Sequence, residues 1–161
     1  MVVAADIMTR DVVTVSPETS VRDVGELLEV NHFGSLPVVD TNRKLLGLVT
    51  EEDLVSRAAS IHLPRHITFL GGIVFLENPQ RFEEEAEKIL AINARDIMDE
   101  DVPTVLPDTP VDEIATRMLE GDLRRMLVLD EQGRLTGIIT RADIVRMLTA
   151  DGHLPGGEER A

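Results

Sequence analysis

The sequence predicts an α/β fold, in the broad α+β sense, built from two copies of one β-α-β-β-α unit. Two observations lead to this prediction. The chain matches itself without a gap when it is shifted by 90 residues, and 17 of the 50 positions from 6 to 55 equal their counterparts. Each copy also shows the same order of strand and helix patterns. Because one copy of about 55 residues would be only marginally stable alone, the two copies are expected to pair their sheets and share one core.

Each copy opens with a short extended segment and a helix. Thr14–Val15 and Thr104–Val105 are each followed, after one further residue, by a proline, which disfavours helical backbone in the residue ahead of it. Thr19 and Thr109 are the predicted N-caps, and Pro110 would be the first helical residue of the second copy. Apolar side chains then recur at helical spacing, at Val21, Val24 and Leu28 in the first copy and at Val111, Ile114 and Met118 in the second.

A hairpin and a second helix complete each copy. The predicted strands are Ser35–Asp40 and Leu45–Val49 in the first copy, and Arg125–Asp130 and Leu135–Ile139 in the second. Polar turns, Asp40–Lys44 and Asp130–Arg134, separate the strands. The predicted second helices are Glu51–Ala59 and Arg141–Ala150.

The repeat divides the chain into four parts. Residues 1–59 form the first repeat and 94–150 the second, with an insert at 60–93 and a flexible tail at 151–161. The insert is apolar in its first half, and its second half, Pro79–Asn93, has the pattern of an amphipathic helix. It either adds packing to the core or provides a surface for self-association or for a client protein.

Composition excludes several classes of function. The chain has 16 basic and 30 acidic residues, a net charge of −14, and neither Trp nor Tyr, so we expect no nucleic-acid partner. It has no Cys, and Pro64 separates His62 from His66, so no metal site is expected. Without a signal-peptide pattern or a long apolar run, we expect a soluble cytoplasmic protein with no membrane partner.

The phrase that closes each copy has two readings. It is GLVTEED at Gly47–Asp53 and GIITRAD at Gly137–Asp143. As structure, Thr-x-x-Asp at a helix start is a capping box, in which each residue hydrogen-bonds the backbone of the other. As function, the same helix end offers free amides to a phosphate, and the aspartate can accept hydrogen bonds from two ribose hydroxyls. Both readings stay open at this point.

Together these motifs resemble a tandem pair of CBS (cystathionine-β-synthase) domains, often called a Bateman module. The resemblance rests on Asp-Ile-Met, on Thr-Val-x-Pro-x-Thr-x-Val, on SLPVVD or RMLVLD, and on the closing phrase, and it covers 5–59 and 95–149. It implies repeats paired in pseudo-two-fold symmetry around a groove for AMP, ADP, ATP or S-adenosylmethionine. It also implies a regulatory role, such as energy sensing, without catalysis and without a cofactor.

The resemblance also implies which residues bind the ligand. The aspartate of each phrase would bind ribose, and the threonine three residues before it would contact phosphate or ribose. These residues are Thr50, Asp53, Thr140 and Asp143. In the family, backbone near the early threonine of one repeat holds adenine for the site of the other. Thr14 would therefore serve the site of Asp143. Thr104 would serve the site of Asp53.

Cations for a phosphate are expected only in the second copy. The resemblance assigns this role to Arg124 and Arg125, just before the second strand, and Arg141 lies inside the closing phrase. The first copy has Glu51 and Glu52 in its phrase instead. The site of the first copy would therefore be empty or would prefer an uncharged or cationic adenosine ligand.

Two functions remain in competition. The first is a stand-alone sensor, a homodimer that binds an adenosine ligand and signals through its conformation, its oligomeric state or its contact with a client protein. The second is a ligand-free scaffold for oligomerisation or protein interaction, whose closing phrases are only capping boxes. The sequence shows no nucleophile–base pair, Gly-rich phosphate loop or ligand cluster, so an enzyme is not expected.

Overall fold

The computed structural model describes residues 1–60, 66–69, 72–75 and 78–150 as a mixture of helices and short sheets. The elements in chain order are α1 (Ala4–Ile7), α2 (Val21–Asn31), β1 (Ser35–Val39), β2 (Leu45–Thr50), α3 (Glu51–Ala58), β3 (His66–Phe69), β4 (Gly72–Phe75), α4 (Pro79–Leu90), α5 (Ala94–Ile97), β5 (Thr104–Val105), α6 (Val111–Glu120), β6 (Arg125–Leu129), β7 (Leu135–Thr140) and α7 (Arg141–Ala150). The predicted mixed α/β class is confirmed. The hairpin strands and second helix of each copy end within one residue of the predicted bounds. The predicted flexible tail and His62 lie outside the described residues.

The chain folds into two compact units, and each unit takes segments from both sequence repeats. Unit 1 comprises Met1–Val13, Asp40–Leu45 and the chain from Asp101 on, and unit 2 comprises Thr14–Val39 and Leu46–Glu100. The segment that leads into each repeat therefore belongs to the unit of the other repeat. No helix among the residues described is both long and apolar enough to cross a membrane.

Unit 1 is built on a three-stranded sheet in the order β5-β6-β7. β5 runs parallel to β6, and β6 runs antiparallel to β7. Helices α6 and α7 and the short α1 pack beside this sheet. One buried cluster of this unit consists of Ala4, Met8, Val105, Ile114, Met118, Met126, Val128 and Ile139.

Unit 2 repeats this plan with β1 and β2. Val15 adds a parallel bridge to β1, because its N–H donates to the Pro37 carbonyl (3.0 Å) and its own carbonyl accepts from the N–H of Val39 (3.0 Å). The insert contributes α4, which the sequence predicted, and an antiparallel β3–β4 hairpin, which it did not. An exposed ion pair of Arg22 and Glu87 (2.9 Å) links α4 to α2.

The Asp-Ile-Met motif and the glycine of the closing phrase form one contact in each unit. In unit 1 the backbone of Thr9 exchanges two hydrogen bonds with Ile138 (2.9 and 3.0 Å), which presses Met8 onto Gly137. In unit 2 Asp99 and Leu48 exchange the equivalent pair (both 2.9 Å). A side chain at Gly137 would collide with Met8, and one at Gly47 would collide with Met98. This contact explains why the glycine and the methionine motif recur together in both copies.

The predicted threonine caps are wrong. Helix α2 is capped by Ser20, whose hydroxyl accepts from the N–H of Asp23 (3.1 Å), and the cap of α6 is Pro110, in extended backbone. The hydroxyls of Thr19 and Thr109 instead close the preceding turns, where they accept from the N–H groups of Ser16 and Leu106. Each hydroxyl is thereby committed to the turn before the helix.

The hairpin turns explain why Asp40 and Asp130 recur in the repeat. Each carboxylate accepts hydrogen bonds from the N–H groups two and four residues later, at 2.8–3.0 Å. The hydrogen bond from the N–H of Arg134 is the main cause that lowers the pKa of Asp130 below its ordinary value. This part of the repeated pattern is therefore accounted for by turn structure.

Candidate functional site

Asp143 is the one buried charged residue among those described. It lies in the first turn of α7, and its Oδ2 accepts two hydrogen bonds from Thr140, from the backbone N–H (2.8 Å) and from the hydroxyl (2.8 Å). The tight strand-to-helix turn thus fixes one carboxylate oxygen. A buried carboxylate requires such donors, because desolvation of an unpaired charge is costly.

The other oxygen of Asp143 is bound by a residue that the sequence analysis missed. Arg146 donates from Nη1 to Oδ1 of Asp143 (2.8 Å), one turn further along α7. The spacing i,i+3 places both side chains on one helix face and could have indicated the pair. Comparison of the repeats did not identify Arg146, because the first copy has Ser56 at the equivalent position.

The three predicted cations lie in unit 1 but have different surroundings. Arg125 is the register partner of Thr140 across β6 and β7, so the two side chains leave the sheet on the same face. Arg124 is exposed, and its carbonyl accepts from the N–H of Arg141 (3.3 Å). The guanidinium of Arg141 is held at the end of α6 by the carbonyl of Leu123 (2.8 Å) and by other acceptors there. Arg141 is therefore already engaged in closing that helix end.

Unit 2 presents the matching phrase in a more open form. Thr50 and Asp53 form the full capping box, with the Asp53 carboxylate accepting from the N–H of Thr50 (2.7 Å) and the Thr50 hydroxyl accepting from the N–H of Asp53 (3.3 Å). The structural reading of the phrase is confirmed here. Asp53 is only half-buried, and among the described residues none hydrogen-bonds its Oδ1.

The two early threonines are divided between the units. Thr14 belongs to unit 2, as do Thr50 and Asp53. Thr104 is the first residue of β5 in unit 1 and is half-buried. The predicted pairing of each early threonine with the aspartate of the other repeat stays a prediction.

A cleft of about 410 Å³ opens beside Asp143 within unit 1. It is lined by Val2, Asp6, Ile7, Asp143, Arg146, Met147 and Ala150. The volume falls in the range that small-molecule sites occupy, and three of the seven lining residues are charged: Asp6, Asp143 and Arg146. The Asp6 carboxylate accepts from the N–H of Val3 (2.9 Å), and Asp143 and Arg146 are the two charged residues that α7 contributes to the cleft wall.

Comparison with known proteins gives a consistent result. The family model for the CBS domain matches residues 3–60 and 94–150, which is more than half of the chain. An uncharacterized protein of Methanocaldococcus jannaschii is 27% identical over 150 residues, which cover 89% of each chain. The inosine-5′-monophosphate dehydrogenase of the same organism is also 27% identical, and there the match covers 89% of this chain but 23% of the enzyme.

A solved structure extends the likeness to three dimensions. The crystal structure of CBSX2 from Arabidopsis thaliana in complex with AMP superimposes with a TM-score of 0.73 at 27% identity. The match covers 95% of this chain and all of the other.

Proposed function

The chain belongs to the CBS-domain family, and on that premise we propose that it is a regulatory module that binds an adenosine-containing ligand. Binding would change its conformation or its association with itself or with a client protein. Such a change requires that the ligand prefer one state over the other. AMP is the first ligand to test, since a relative of 27% identity was crystallised with it.

The observation that carries this proposal is the buried carboxylate of Asp143 at the wall of a ligand-sized cleft. Thr140 fixes Oδ2, so the carboxylate is held in one orientation before any ligand arrives. A fixed carboxylate suits the two neighbouring hydroxyls of a ribose. A capping role alone does not require a cleft, and the box at Thr50 and Asp53 is formed without such burial.

The ultraviolet spectrum of the purified protein tests this function. Because the chain has neither Trp nor Tyr, a bound adenine would dominate the near-ultraviolet absorption. We expect an adenine band, and an adenosine compound in the mass spectrum of the acid-released fraction. Protein that shows no such band and takes up no AMP in equilibrium dialysis would favour the ligand-free scaffold instead.

Self-association is a second role, favoured by exposed apolar side chains on the helices. Val55 on α3 and Val145 on α7 occupy the same position of the two repeats, and their exposed fractions are 67% and 58%. Apolar side chains that are exposed to solvent at equivalent positions of both repeats are suited to burial against a second copy of the chain. Sedimentation analysis should find a dimer that Val145→Asp weakens at least about tenfold, since a buried unpaired charge is costly. A monomeric wild-type protein would contradict this role.

A further inference from the structure

The Arg146–Asp143 pair occupies the position that a ribose would need. A carboxylate offers about four lone-pair sites, and the two hydrogen bonds from Thr140 already use those of Oδ2. Arg146 uses one of the remaining two, on Oδ1. With Arg146 in place, one site is left, whereas two neighbouring ribose hydroxyls need two. Ribose can therefore make both hydrogen bonds only after Arg146 withdraws.

The pair is arranged so that this withdrawal is easy. The side chain of Arg146 is 71% exposed, whereas that of Asp143 is 7% exposed. An ion pair with one partner in water contributes little to stability, because solvent screens it and holding a long side chain in one place costs entropy. The guanidinium can leave Oδ1 for water or for another anion without disturbing the buried end of the contact.

We propose that Arg146 sets the ligand preference of the unit 1 site by pairing with Asp143 when the site is empty and with a ligand phosphate when ribose displaces it. This inference rests on the proposed function and names a residue that acts within it. An uncharged nucleoside would displace the guanidinium and offer it no anion in return. A nucleotide would supply the new partner, and the guanidinium–phosphate hydrogen bonds are of the strong, charge-assisted kind.

The first copy provides an internal contrast. Ser56 stands where Arg146 does, and no described residue hydrogen-bonds Oδ1 of Asp53. At that position the first copy has no arginine that could compete with ribose for Asp53, and none that could then bind a phosphate. The site of Asp53 is therefore expected to show no preference for a phosphorylated ligand.

The test compares AMP with adenosine in proteins that carry Asp53→Asn, so that the first copy contributes little to the signal. Calorimetry would give the affinity of both compounds for the parent, for Arg146→Gln and for Arg146→Lys. Removal of the competing cation should raise the affinity for adenosine, and loss of the phosphate partner should lower the affinity for AMP. We expect the ratio of AMP to adenosine affinity to fall at least about tenfold in Arg146→Gln. Arg146→Lys, which keeps the charge, should retain most of the ratio.

Arg81→Gln is the matched control. Arg81 also has a side chain that is 71% exposed and pairs with a carboxylate on its own helix, Glu85, so its loss changes the net charge equally. The control should leave the ratio unchanged. An equal ratio in the parent and in Arg146→Gln, with AMP still bound, would overturn the role of Arg146 and leave the proposed function standing. If the parent bound neither compound, the role of Arg146 would be overturned, and the proposed function would be overturned as well if the wild type bound none of AMP, ADP, ATP and S-adenosylmethionine.

Discussion

Gly137→Ala is expected to destabilise the protein by about 1–3 kcal/mol, the usual cost of forcing a methyl group into filled space. A β-carbon at Gly137 would lie 2.8 Å from Cγ and 3.0 Å from Cβ of Met8. Because Cβ of Met8 is fixed to the backbone, it cannot move away by a side-chain rotation. The neighbouring backbone is also held, since the N–H and the carbonyl of Thr9 are both hydrogen-bonded to Ile138. Strand β7 and the segment that contains Met8 and Thr9 would have to move apart. Urea unfolding measures the loss.

Gly25→Ala is the control for this prediction. Gly25 lies inside α2, where alanine favours the helix by about 1 kcal/mol, and the second copy already has Ala115 at this position. Its β-carbon would meet only the end of the Leu54 side chain, at 3.3 Å, which can rotate away. We expect an unchanged or slightly higher free energy of unfolding. A Gly137→Ala protein as stable as the wild type would contradict the contact described for Met8.

The elements of the fold were predictable because their signals are local. Alternating and helical apolar patterns marked the hairpins and the helices of both copies, and the repeat supported each assignment twice. The assignment of Met8 to the unit of the second copy was not predictable in this way. That contact joins residues 129 positions apart, and the pattern around Met8 shows only that its side chain is buried.

The candidate site was predictable where the two copies agree. Thr140 and Asp143 were found because Thr50 and Asp53 repeat them, and the structure joins each pair by hydrogen bonds. Arg146 was missed because the repeat has no counterpart for it. The threonine caps failed for a different reason. Both copies carry the same threonine, but each hydroxyl lies beside a turn as well as a helix, and it serves the turn.

The second large effect is expected for Asp143→Ala. Loss of two hydrogen bonds from ribose to a charged acceptor should weaken AMP binding at least about 100-fold. Asp53→Ala should have a smaller effect, because Asp53 is more exposed and has glutamates beside it that repel phosphate. Asp108→Ala is the control for charge, since Asp108 is an exposed aspartate in a turn of the same unit. Circular dichroism would verify that all three variants are folded.

Calorimetric titration of AMP into the wild-type protein tests the central claim most directly. We expect saturable binding with a Kd well below about 1 mM, and loss of that binding in Asp143→Ala but not in Asp108→Ala. AMP that binds equally well to wild type and Asp143→Ala would contradict the assigned site. If neither AMP, ADP, ATP nor S-adenosylmethionine gave saturable heat with the wild type, the sensor function would be wrong and the closing phrases would be capping boxes alone.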